Sequence, residues 1–411
     1  MSAVERPRYR IFVSATSDGL TDHRPHGDGL VAFALLRELA SRGHEIHVAG
    51  TQIDVREPLP DNVYFHALPL RRSETLVERI AYAIAVRRLY DRLARAERFD
   101  IVHQMNPVIA GLSLGFALNA PPLVLGAYIA NWADDDCGPS RTSLAKRLVG
   151  IGRAIVASAQ QVFAAAIIVT TRSARDRVPL ARFLATKMTV IPHGIDLDRL
   201  APLEPNAVAD DTAPAVLFLA NLTRRKGLFT LLEAFEIVAQ RVPNARLLIA
   251  GGGEDAKAEV EAFVARRTWY DRVTLLGNVP RTGIANAMRH ATIYCLPSHG
   301  EPFGMTAIEA MACGVPVVVT QDAGLGEIVP HDAGARVPSR DPAALAEAIV
   351  ALIEVGGSVR ARIGARNRAY AERHFGLPRV ADRLEGVYGL VVAKRERAAM
   401  GSPERVAVGN A

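Results

Sequence analysis

Two glutamates and one glycine in the segment SHGEPFGMTAIEAMACGVPVVVT form the most informative chemical pattern of this sequence. Seven residues separate Glu301 from Glu309, and Gly304 lies between them where a helix is predicted to begin. The free amides and the dipole of a helix N-terminus favour a phosphate, and glycine lets that phosphate approach the main chain. Carboxylates would repel the phosphate, so we expect Glu309 to accept hydrogen bonds from a ribose diol and Glu301 from a sugar. The pattern therefore predicts a site for a nucleoside diphosphate sugar.

A basic loop upstream provides a second candidate element. In the segment ANLTRRKGLFTLLEAF, Lys226 and Gly227 end a loop between a predicted strand and a predicted helix, with Arg224 and Arg225 beside them. Such a loop can neutralise a diphosphate leaving group. Taken alone, the segment is equally typical of a solvated basic turn.

Strands and helices alternate along the chain, which predicts parallel sheets. A helix is predicted from near Gly29 to Gly43, where the missing Cβ permits a left-handed cap. The proline-rich, acidic stretch 200–214 is typical of a linker, and a helical tail is expected from about Pro342, fraying after Ala399. We therefore predict an α/β protein with two doubly wound domains. The apolar runs are RIFVSAT, EIHVAG, PLVLGAY and AIIVTT before the linker and AVLFLAN, RLLIAGGG, VTLLGNV, IYCLPS and VPVVVT after it.

Composition excludes several classes of protein. With 411 residues, of which 49% are hydrophobic and 22% charged, the chain is not intrinsically disordered. Cys137, Cys295 and Cys313 form no C-x-x-C pair, so we expect a reducing cytoplasm and neither a disulfide framework nor a structural zinc site. No signal peptide or membrane span is predicted. The net charge of +6 falls in residues 1–195, and with 6% aromatics it favours an anionic small molecule or lipid surface over nucleic acid.

Several segments together resemble the retaining glycosyltransferases of family 4, which have the GT-B fold of two Rossmann-like domains facing each other across a cleft. The resemblance covers nearly the whole chain and rests on GEPFGMTAIEAMACGVPVV, RRKGLFTLLEAF, VIPHGID, LIAGGGED and VTLLGNVPR. It implies an acceptor-side domain at 1–197 and a nucleotide-sugar domain at 198–375. It also implies a last helix within 376–411 that crosses back to the first domain.

The resemblance assigns roles to individual residues. Lys226 and Arg225 would stabilise the leaving diphosphate together with the Gly304 helix terminus, so that neither a metal nor another cofactor is required. Gly27 and Gly29, in the segment HGDG that follows the first strand, would approach the donor phosphates across the cleft. The remaining donor-binding positions are the main chain of Gly304, Met305 and Thr306 for phosphate, Glu309 for ribose, Glu301 for the sugar, and the backbone near Asn278 and Val279 for the base.

The sequence departs from the family pattern at two positions. Asn221 stands where an arginine typically contacts the diphosphate, and we expect Arg224 or Arg225 to replace it. Tyr128 stands where many members have a histidine on the acceptor side. His103, in DIVHQMNP, either faces the cleft or is a buried structural histidine bonded to backbone. The acidic triplet 134–136 is more typical of a solvated loop than of a metal site.

The expected reaction is therefore retaining glycosyl transfer from a nucleoside diphosphate sugar to a hydroxyl acceptor. The acceptor would be a sugar, a lipid-linked sugar or a small molecule, in glycolipid, polysaccharide or natural-product biosynthesis. Alternatives are a sugar phosphorylase or synthase-like enzyme and a non-catalytic sugar-nucleotide-binding regulator. The arginine-rich segments 76–98 and 138–175 indicate either peripheral contact with the anionic inner face of a cell membrane or solvated helix faces.

Overall fold

A computed structural model describes residues 7–16, 19–24, 27–70, 75–106, 111–118, 120–128, 144–178, 180–202 and 212–400. His26, the acidic triplet 134–136, Cys137 and most of the predicted linker lie outside the described residues. The predicted α/β architecture with two parallel-sheet domains is confirmed.

The first domain is built on a seven-stranded parallel sheet with the strand order β5-β3-β1-β6-β7-β8-β9. Strand β1 pairs Phe12 with His47 of β3 on one side and with Val102 of β6 on the other. Strands β2 and β4 form a separate two-stranded ribbon. The strands are β1 (Arg10–Ala15), β2 (Leu20–Thr21), β3 (Glu45–Gly50), β4 (Ile53–Asp54), β5 (Val63–Ala67), β6 (Ile101–Gln104), β7 (Leu123–Tyr128), β8 (Ala166–Val169) and β9 (Met188–Val190).

Helices cover this first sheet and connect its strands. The predicted first helix ends before Gly43, whose φ of 89° is the expected left-handed cap. The second helix begins with a capping box in which Thr75 and Glu78 bond to each other's backbone amides. The described helices are α1 (Gly27–Ser41), α2 (Leu76–Leu93), α3 (Leu144–Phe163), α4 (Arg172–Asp176) and α5 (Ala181–Leu184).

The second domain repeats the design with a six-stranded parallel sheet in the order β12-β11-β10-β13-β14-β15. Phe218, Phe235 and Tyr294 are fully buried in its core. Its strands are β10 (Ala215–Leu219), β11 (Arg246–Ala250), β12 (Val273–Gly277), β13 (Ile293–Leu296), β14 (Val317–Thr320) and β15 (Gly334–Val337). Its helices are α6 (Leu228–Arg241), α7 (Glu254–Val264), α8 (Arg281–Arg289), α9 (Met305–Ala312), α10 (Ala323–Ile328), α11 (Pro342–Glu354) and α12 (Gly357–Phe375).

The last helix, α13 (Leu377–Met400), follows the second domain in sequence but packs on the first. Val380, Leu384 and Tyr388 are buried in the same core as β1 and α1. Arg42, which directly follows α1, donates to the side chains of Asp382 and Glu385. The chain therefore connects the two domains twice.

Both sheets reverse their winding direction beside the first strand of the domain, between β1 and β6 and between β10 and β13. In open parallel sheets, ligands bind beyond the carboxyl ends of the strands at such a switch point. We therefore expect a ligand site among the loops that follow these four strands.

No single described helix is both long and apolar enough to span a bilayer. Together, α11 and α12 have the required length and composition, but the pair is bent by 108°. Both helices contribute buried residues to the second domain.

Candidate active site

The predicted phosphate site lies in the loop after β13. Gly304 has a φ of 81°, and a Cβ at this position would lie 2.4 Å from Leu325 Cδ1. Glycine is therefore required both by the backbone conformation and by the space. Helix α9 begins at the next residue, and the amides of Met305 and Thr306 have no intrahelical carbonyl to bond. The Tyr294 hydroxyl lies 2.6 Å from Thr306 Oγ1 and ties this first turn to β13.

Lys226 and Glu301, both predicted as catalytic, are in direct contact. Lys226 Nζ lies 2.5 Å from Glu301 Oε2, and Ser298 Oγ donates to the same oxygen at 3.2 Å. Burial alone would raise the pKa of the Glu301 carboxyl, but Lys226, Arg225 and Ser298 together hold it below its ordinary value. Glu301 is therefore an ionised carboxylate at neutral pH although it is only 7% exposed.

The basic loop after β10 packs tightly against the loop after β13 and is hydrogen-bonded to it. Gly227 has a φ of 74°, and a Cβ there would lie 1.9 Å from the Pro297 carbonyl oxygen. The amide of His299 donates to the Arg225 carbonyl oxygen at 2.7 Å. Because β10 and β13 are adjacent strands, these contacts hold Lys226 beside Glu301.

The two arginines that could replace the missing family arginine differ in position. Arg224 donates to Glu259 at 2.7 Å, and its guanidinium carbon lies 4.5 Å from the Phe229 ring centroid. Its charge is therefore directed toward α7. Arg225 is the arginine whose charge acts on Glu301, while Asn221 is exposed at the start of the loop.

Glu309 lies near the end of α9 and lines a cavity between the two domains. Met305 and Arg281 line it from the second domain, and Val31 of α1 lines it from the first. This space, the donor cavity, measures about 460 Å³ including its open mouth. Burial raises the pKa of the Glu309 carboxyl to about 7, and Arg281 offsets only part of that effect. Hydroxyl donors in the cavity would favour its ionised form.

The residues predicted to hold the base follow the same sheet edge. The Gly251 amide donates to the Gly277 carbonyl at 2.8 Å, so the loops after β11 and β12 lie side by side. A Cβ on Gly252 would lie 2.6 Å from Asn278 Oδ1. Asn278 is exposed and Val279 is half-buried, and neither lines the donor cavity.

In the first domain, Gly27 is the exposed first residue of α1 and Gly29 is buried in its first turn. Neither lines a cavity described here, but Asp28 between them does. We call this second space, of about 590 Å³ with its open mouth, the first-domain cavity. Val31 and Gly194 line both this space and the donor cavity, so the two cavities are adjacent. The other lining residues are Thr16, Ala32, Leu35, His103, Met105, Asn106, Gly126, Ala127, Ile168, Ile191, Pro192, His193, Val380 and Leu384.

His103 is a structural histidine at the wall of the first-domain cavity. Its Nε2 lies 2.7 Å from the Gly126 carbonyl oxygen, to which it donates. Its Nδ1 then accepts from the Tyr388 hydroxyl at 2.7 Å. Burial lowers the pKa of His103 to about 4, so the ring is neutral. Tyr128 is the last residue of β7, and its side chain lies outside the described residues.

Three further polar residues at the cleft were missed by the sequence analysis. Asp28 Oδ2 accepts from Asn106 Nδ2 at 2.7 Å, which joins the first turn of α1 to the loop after β6. His193 Nε2 is buried and has no hydrogen-bond partner among the described residues, and its ring packs edge-on against Phe303. Asp28 and His193 stand next to glycines in the quoted segments HGDG and VIPHGID, which was a usable signal. No sequence pattern pointed to Asn106.

A clasp joins the domains beside the site. Glu327 of α10 accepts from the amides of Arg172 and Ser173, at 2.7 and 3.0 Å, where α4 begins in the first domain. The Leu325 amide, two residues earlier, donates to the Glu301 carbonyl oxygen at 3.2 Å. We call the contact of Glu327 with α4 the Glu327 clasp.

One group of metal-ligand side chains occurs in the part of the chain that the structure describes. Ligand atoms of Glu45, His47 and Glu97 lie within 4.8 Å of one another, near the beginning of β3. Arg10 donates to both oxygens of Glu45, at 2.7 and 2.8 Å. The group lies at the edge of the sheet opposite the cleft, and the Arg10 guanidinium already pairs with one of its two carboxylates.

Comparisons with known proteins identify families and relatives that this chain resembles in sequence. Residues 26–199 match the family model described as Glycosyltransferase Family 4, and residues 203–370 match the one described as Glycosyl transferases group 1. The chain is 30% identical to the phosphatidyl-myo-inositol mannosyltransferase of Mycobacterium tuberculosis over 373 residues, which is 87% of this chain and 91% of that relative.

Two other proteins extend the comparison. A D-inositol 3-phosphate glycosyltransferase of Xylanimonas cellulosilytica is 35% identical over 254 residues, or 57% of this chain. That alignment spans 60% of the relative, less than two thirds of its length. The structure of sucrose-phosphate synthase from Thermosynechococcus elongatus superimposes with a TM-score of 0.73 at 22% identity, covering 94% of this chain and 100% of that one. This last likeness shows a shared fold.

Proposed function

Because the chain belongs to the family 4 glycosyltransferases with the GT-B fold, we propose that it is a retaining enzyme that takes its sugar from a nucleoside diphosphate sugar. The observation that carries this proposal is the Lys226–Glu301 contact beside the Gly304 helix terminus. A cation, an ionised carboxylate and free amides meet there, and Met305, the first residue of α9, also lines the donor cavity. A diphosphate joined to a sugar has the complementary groups.

In this proposal each group acts on a different part of the donor. The amides of Met305 and Thr306 bind the diphosphate, and Glu309 accepts hydrogen bonds from the ribose diol. Glu301 accepts from hydroxyls of the transferred sugar. Lys226 and Arg225 stabilise the charge that develops on the departing phosphate oxygen.

The transfer itself needs no protein nucleophile. The acceptor hydroxyl attacks the anomeric carbon on the face from which the diphosphate departs, so the configuration is retained. The carbon–oxygen bond to phosphate breaks as the new glycosidic bond forms. The acceptor proton passes to the leaving phosphate oxygen, which becomes basic as it departs.

We further propose that no metal ion is required, because Lys226, Arg225 and the α9 terminus supply the positive charge that a metal would supply. Activity should survive an excess of chelator. A complete loss that magnesium reverses would contradict this part of the proposal alone.

The acceptor belongs to glycolipid or other carbohydrate biosynthesis in this proposal, as the name of the mannosyltransferase relative suggests. Helix α2 supports peripheral contact with a membrane. This helix has one exposed apolar stripe, formed by Leu76, Val77, Ile80 and Ile84. The exposed, positively charged Arg88 follows on the same face, one turn after Ile84. Vesicles with anionic lipid should retain the protein in flotation, neutral vesicles should retain less, and Ile80→Glu should weaken the retention. Equal absence from both kinds of vesicle would remove the membrane contact.

The first test is a panel of UDP-, GDP-, ADP- and TDP-sugars, scored by mass spectrometry for slow donor hydrolysis without an acceptor. Lys226→Ala and Glu309→Ala should each suppress hydrolysis of the accepted donor by about a hundredfold. Lys257→Ala, on the exposed face of α7, is the matched control and should hydrolyse it at the wild-type rate. A donor that binds but is never hydrolysed, and never transferred to any acceptor, would favour the sugar-nucleotide-binding regulator instead.

A further inference from the structure

The buried hydroxyl of Tyr294 connects the end of strand β10 with the first turn of α9. It lies 3.1 Å from the Leu219 carbonyl oxygen and 2.6 Å from Thr306 Oγ1. We infer, resting on the proposed function, that Tyr294 is a positioning residue for the donor diphosphate. Its hydroxyl donates to Thr306 Oγ1, and Thr306 in turn donates its own proton to a phosphate oxygen of the donor.

The sheet register places this hydroxyl at the predicted phosphate site. Tyr294 on β13 is paired with Leu217 on β10, and its side chain extends two residues further along β10 to Leu219. Leu219 ends β10, and the basic loop that carries Lys226 follows it. The two hydroxyls therefore lie at the β10/β13 switch point, where the basic loop and the α9 terminus meet.

The number of protons fixes the direction of these hydrogen bonds. Burial raises the pKa of the Tyr294 hydroxyl well above its ordinary value, so the hydroxyl keeps its proton at neutral pH. With one proton it can donate to Leu219 or to Thr306, but not fully to both. The oxygens of a bound diphosphate carry no proton at neutral pH, so Thr306 must donate to them. Thr306 Oγ1 is then an acceptor, and Tyr294 donates to it.

The two hydroxyls differ in their access to a ligand. Tyr294 is fully buried, whereas Thr306 is half-buried at the second position of α9. Among the described residues, Tyr294 is the only hydrogen-bond partner of Thr306 Oγ1. Thr306 is therefore the member of the pair that touches the ligand, and Tyr294 is the member that holds it in place.

Loss of either hydroxyl should weaken the binding of a nucleoside diphosphate, but by different amounts. Thr306→Val keeps the shape of the side chain and removes a hydrogen bond to a charged group, so affinity should fall about tenfold or more. Tyr294→Phe leaves the Thr306 hydroxyl in place without its donor, and affinity should fall about fivefold.

The test is calorimetric titration of the full chain with UDP, GDP, ADP and TDP, continued with the diphosphate that binds most tightly. Affinity is compared in the wild type, Tyr294→Phe, Thr306→Val and the double variant. In the Thr306→Val background, Tyr294→Phe should change affinity less than about twofold, because no hydroxyl remains to be held. A merely structural role of Tyr294 would weaken binding equally in both backgrounds.

Two matched variants complete the experiment. Tyr82→Phe also removes a buried tyrosine hydroxyl that donates to a strand carbonyl, that of Ser14 at 2.8 Å, and it should bind the diphosphate as the wild type does. Thr306→Ser removes the methyl group that restricts rotation of the hydroxyl, so Tyr294 alone then holds it. Its affinity should stay within about twofold of the wild type.

Three outcomes would overturn the inference. They are wild-type affinity in Thr306→Val, an equal loss from Tyr294→Phe with and without the Thr306 hydroxyl, and a loss in Thr306→Ser as large as in Thr306→Val. The first and third apply even if Tyr294→Phe fails to fold, which thermal unfolding would reveal. If the wild type binds none of the four diphosphates, the proposed function fails instead, so the two failures are distinguishable.

Discussion

Removing the Lys226 side chain tests whether the pair with Glu301 supports both the fold and the reaction. In Lys226→Ala, the Glu301 carboxylate stays 7% exposed and keeps the Ser298 hydroxyl and the field of Arg225, but it loses the ammonium at 2.5 Å. Turnover should fall by about a hundredfold or more, because a preorganised charge at the leaving group is gone.

The effect on stability follows from burial. Breaking a fully buried ion pair by removing one partner costs about 3–5 kcal/mol. Because the Lys226 side chain is 18% exposed and Ser298 and Arg225 remain, we expect about 2 kcal/mol here. For a domain of this size that corresponds to a fall of about 4–8 °C in the unfolding temperature.

The sign of the pH dependence is fixed by the lowered pKa of Glu301. A carboxyl whose pKa is lower in the folded state stabilises the protein above its unfolded pKa and loses that contribution as pH falls through the folded value. The difference between wild type and Lys226→Ala should therefore be largest near neutral pH and shrink in acid.

Calorimetry of wild type, Lys226→Ala, Glu301→Gln and the double variant at two pH values provides the measurement. A neutral amide does not need the ammonium, so the double variant should be less destabilised than the sum of the singles, with a coupling of about 1–2 kcal/mol. A strictly additive double variant, or a Lys226→Ala unfolding temperature equal to that of the wild type near pH 7, would refute the reasoning.

Three further predictions concern the rest of the cleft. Burial raises the pKa of Glu309 to about 7, and a bound ribose diol would favour the ionised carboxylate. Nucleotide affinity should therefore rise from about pH 6 to about pH 8, and calorimetry should detect proton release on binding. Glu309→Gln should show neither effect. Gly304→Ala forces a side chain onto Leu325 at positive φ, and it should lower the free energy of unfolding by about 1–3 kcal/mol and weaken nucleotide binding; an unchanged denaturation midpoint would contradict this. Glu327→Gln weakens three exposed hydrogen bonds between the domains, those from the Arg172 amide and from the amide and hydroxyl of Ser173. It should shift the cleft toward open states by about fivefold in spin-label distance measurements, whereas the exposed control Glu354→Gln should not.

Much of the fold could be predicted because buried parallel strands are short and uniformly apolar. β1, β10 and β14 have this pattern. The edge strand β5 was missed because both its faces are largely exposed and its sequence VYFHA lacks such a run. The short strand β15, only partly buried, was missed for the same reason.

In the candidate site, local features could be predicted from the sequence, whereas contacts between distant residues could not. The position of Gly304 at the start of α9 could be predicted because a helix start with a positive φ favours glycine, and Glu309 follows in the same continuous loop and helix. The contact of Lys226 with Glu301 joins residues 75 positions apart and depends on β10 and β13 being neighbours, which no local pattern encodes. Asp28 and Asn106, 78 positions apart, meet for the corresponding reason at β1 and β6.

The donor loop and the interdomain clasp are parts of one short element, and this links binding to closure. Leu325 donates to the Glu301 carbonyl oxygen and packs over Gly304, while Glu327 reaches the first domain at α4. Helix α10 has only six residues, so these contacts lie within two helical turns of one another. Opening the cleft at the clasp therefore pulls on the loop that carries Glu301, and a donor that stabilises this loop stabilises the closed cleft. Because that coupling is reciprocal, weakening the clasp should lower donor affinity even though Glu327 does not line the donor cavity.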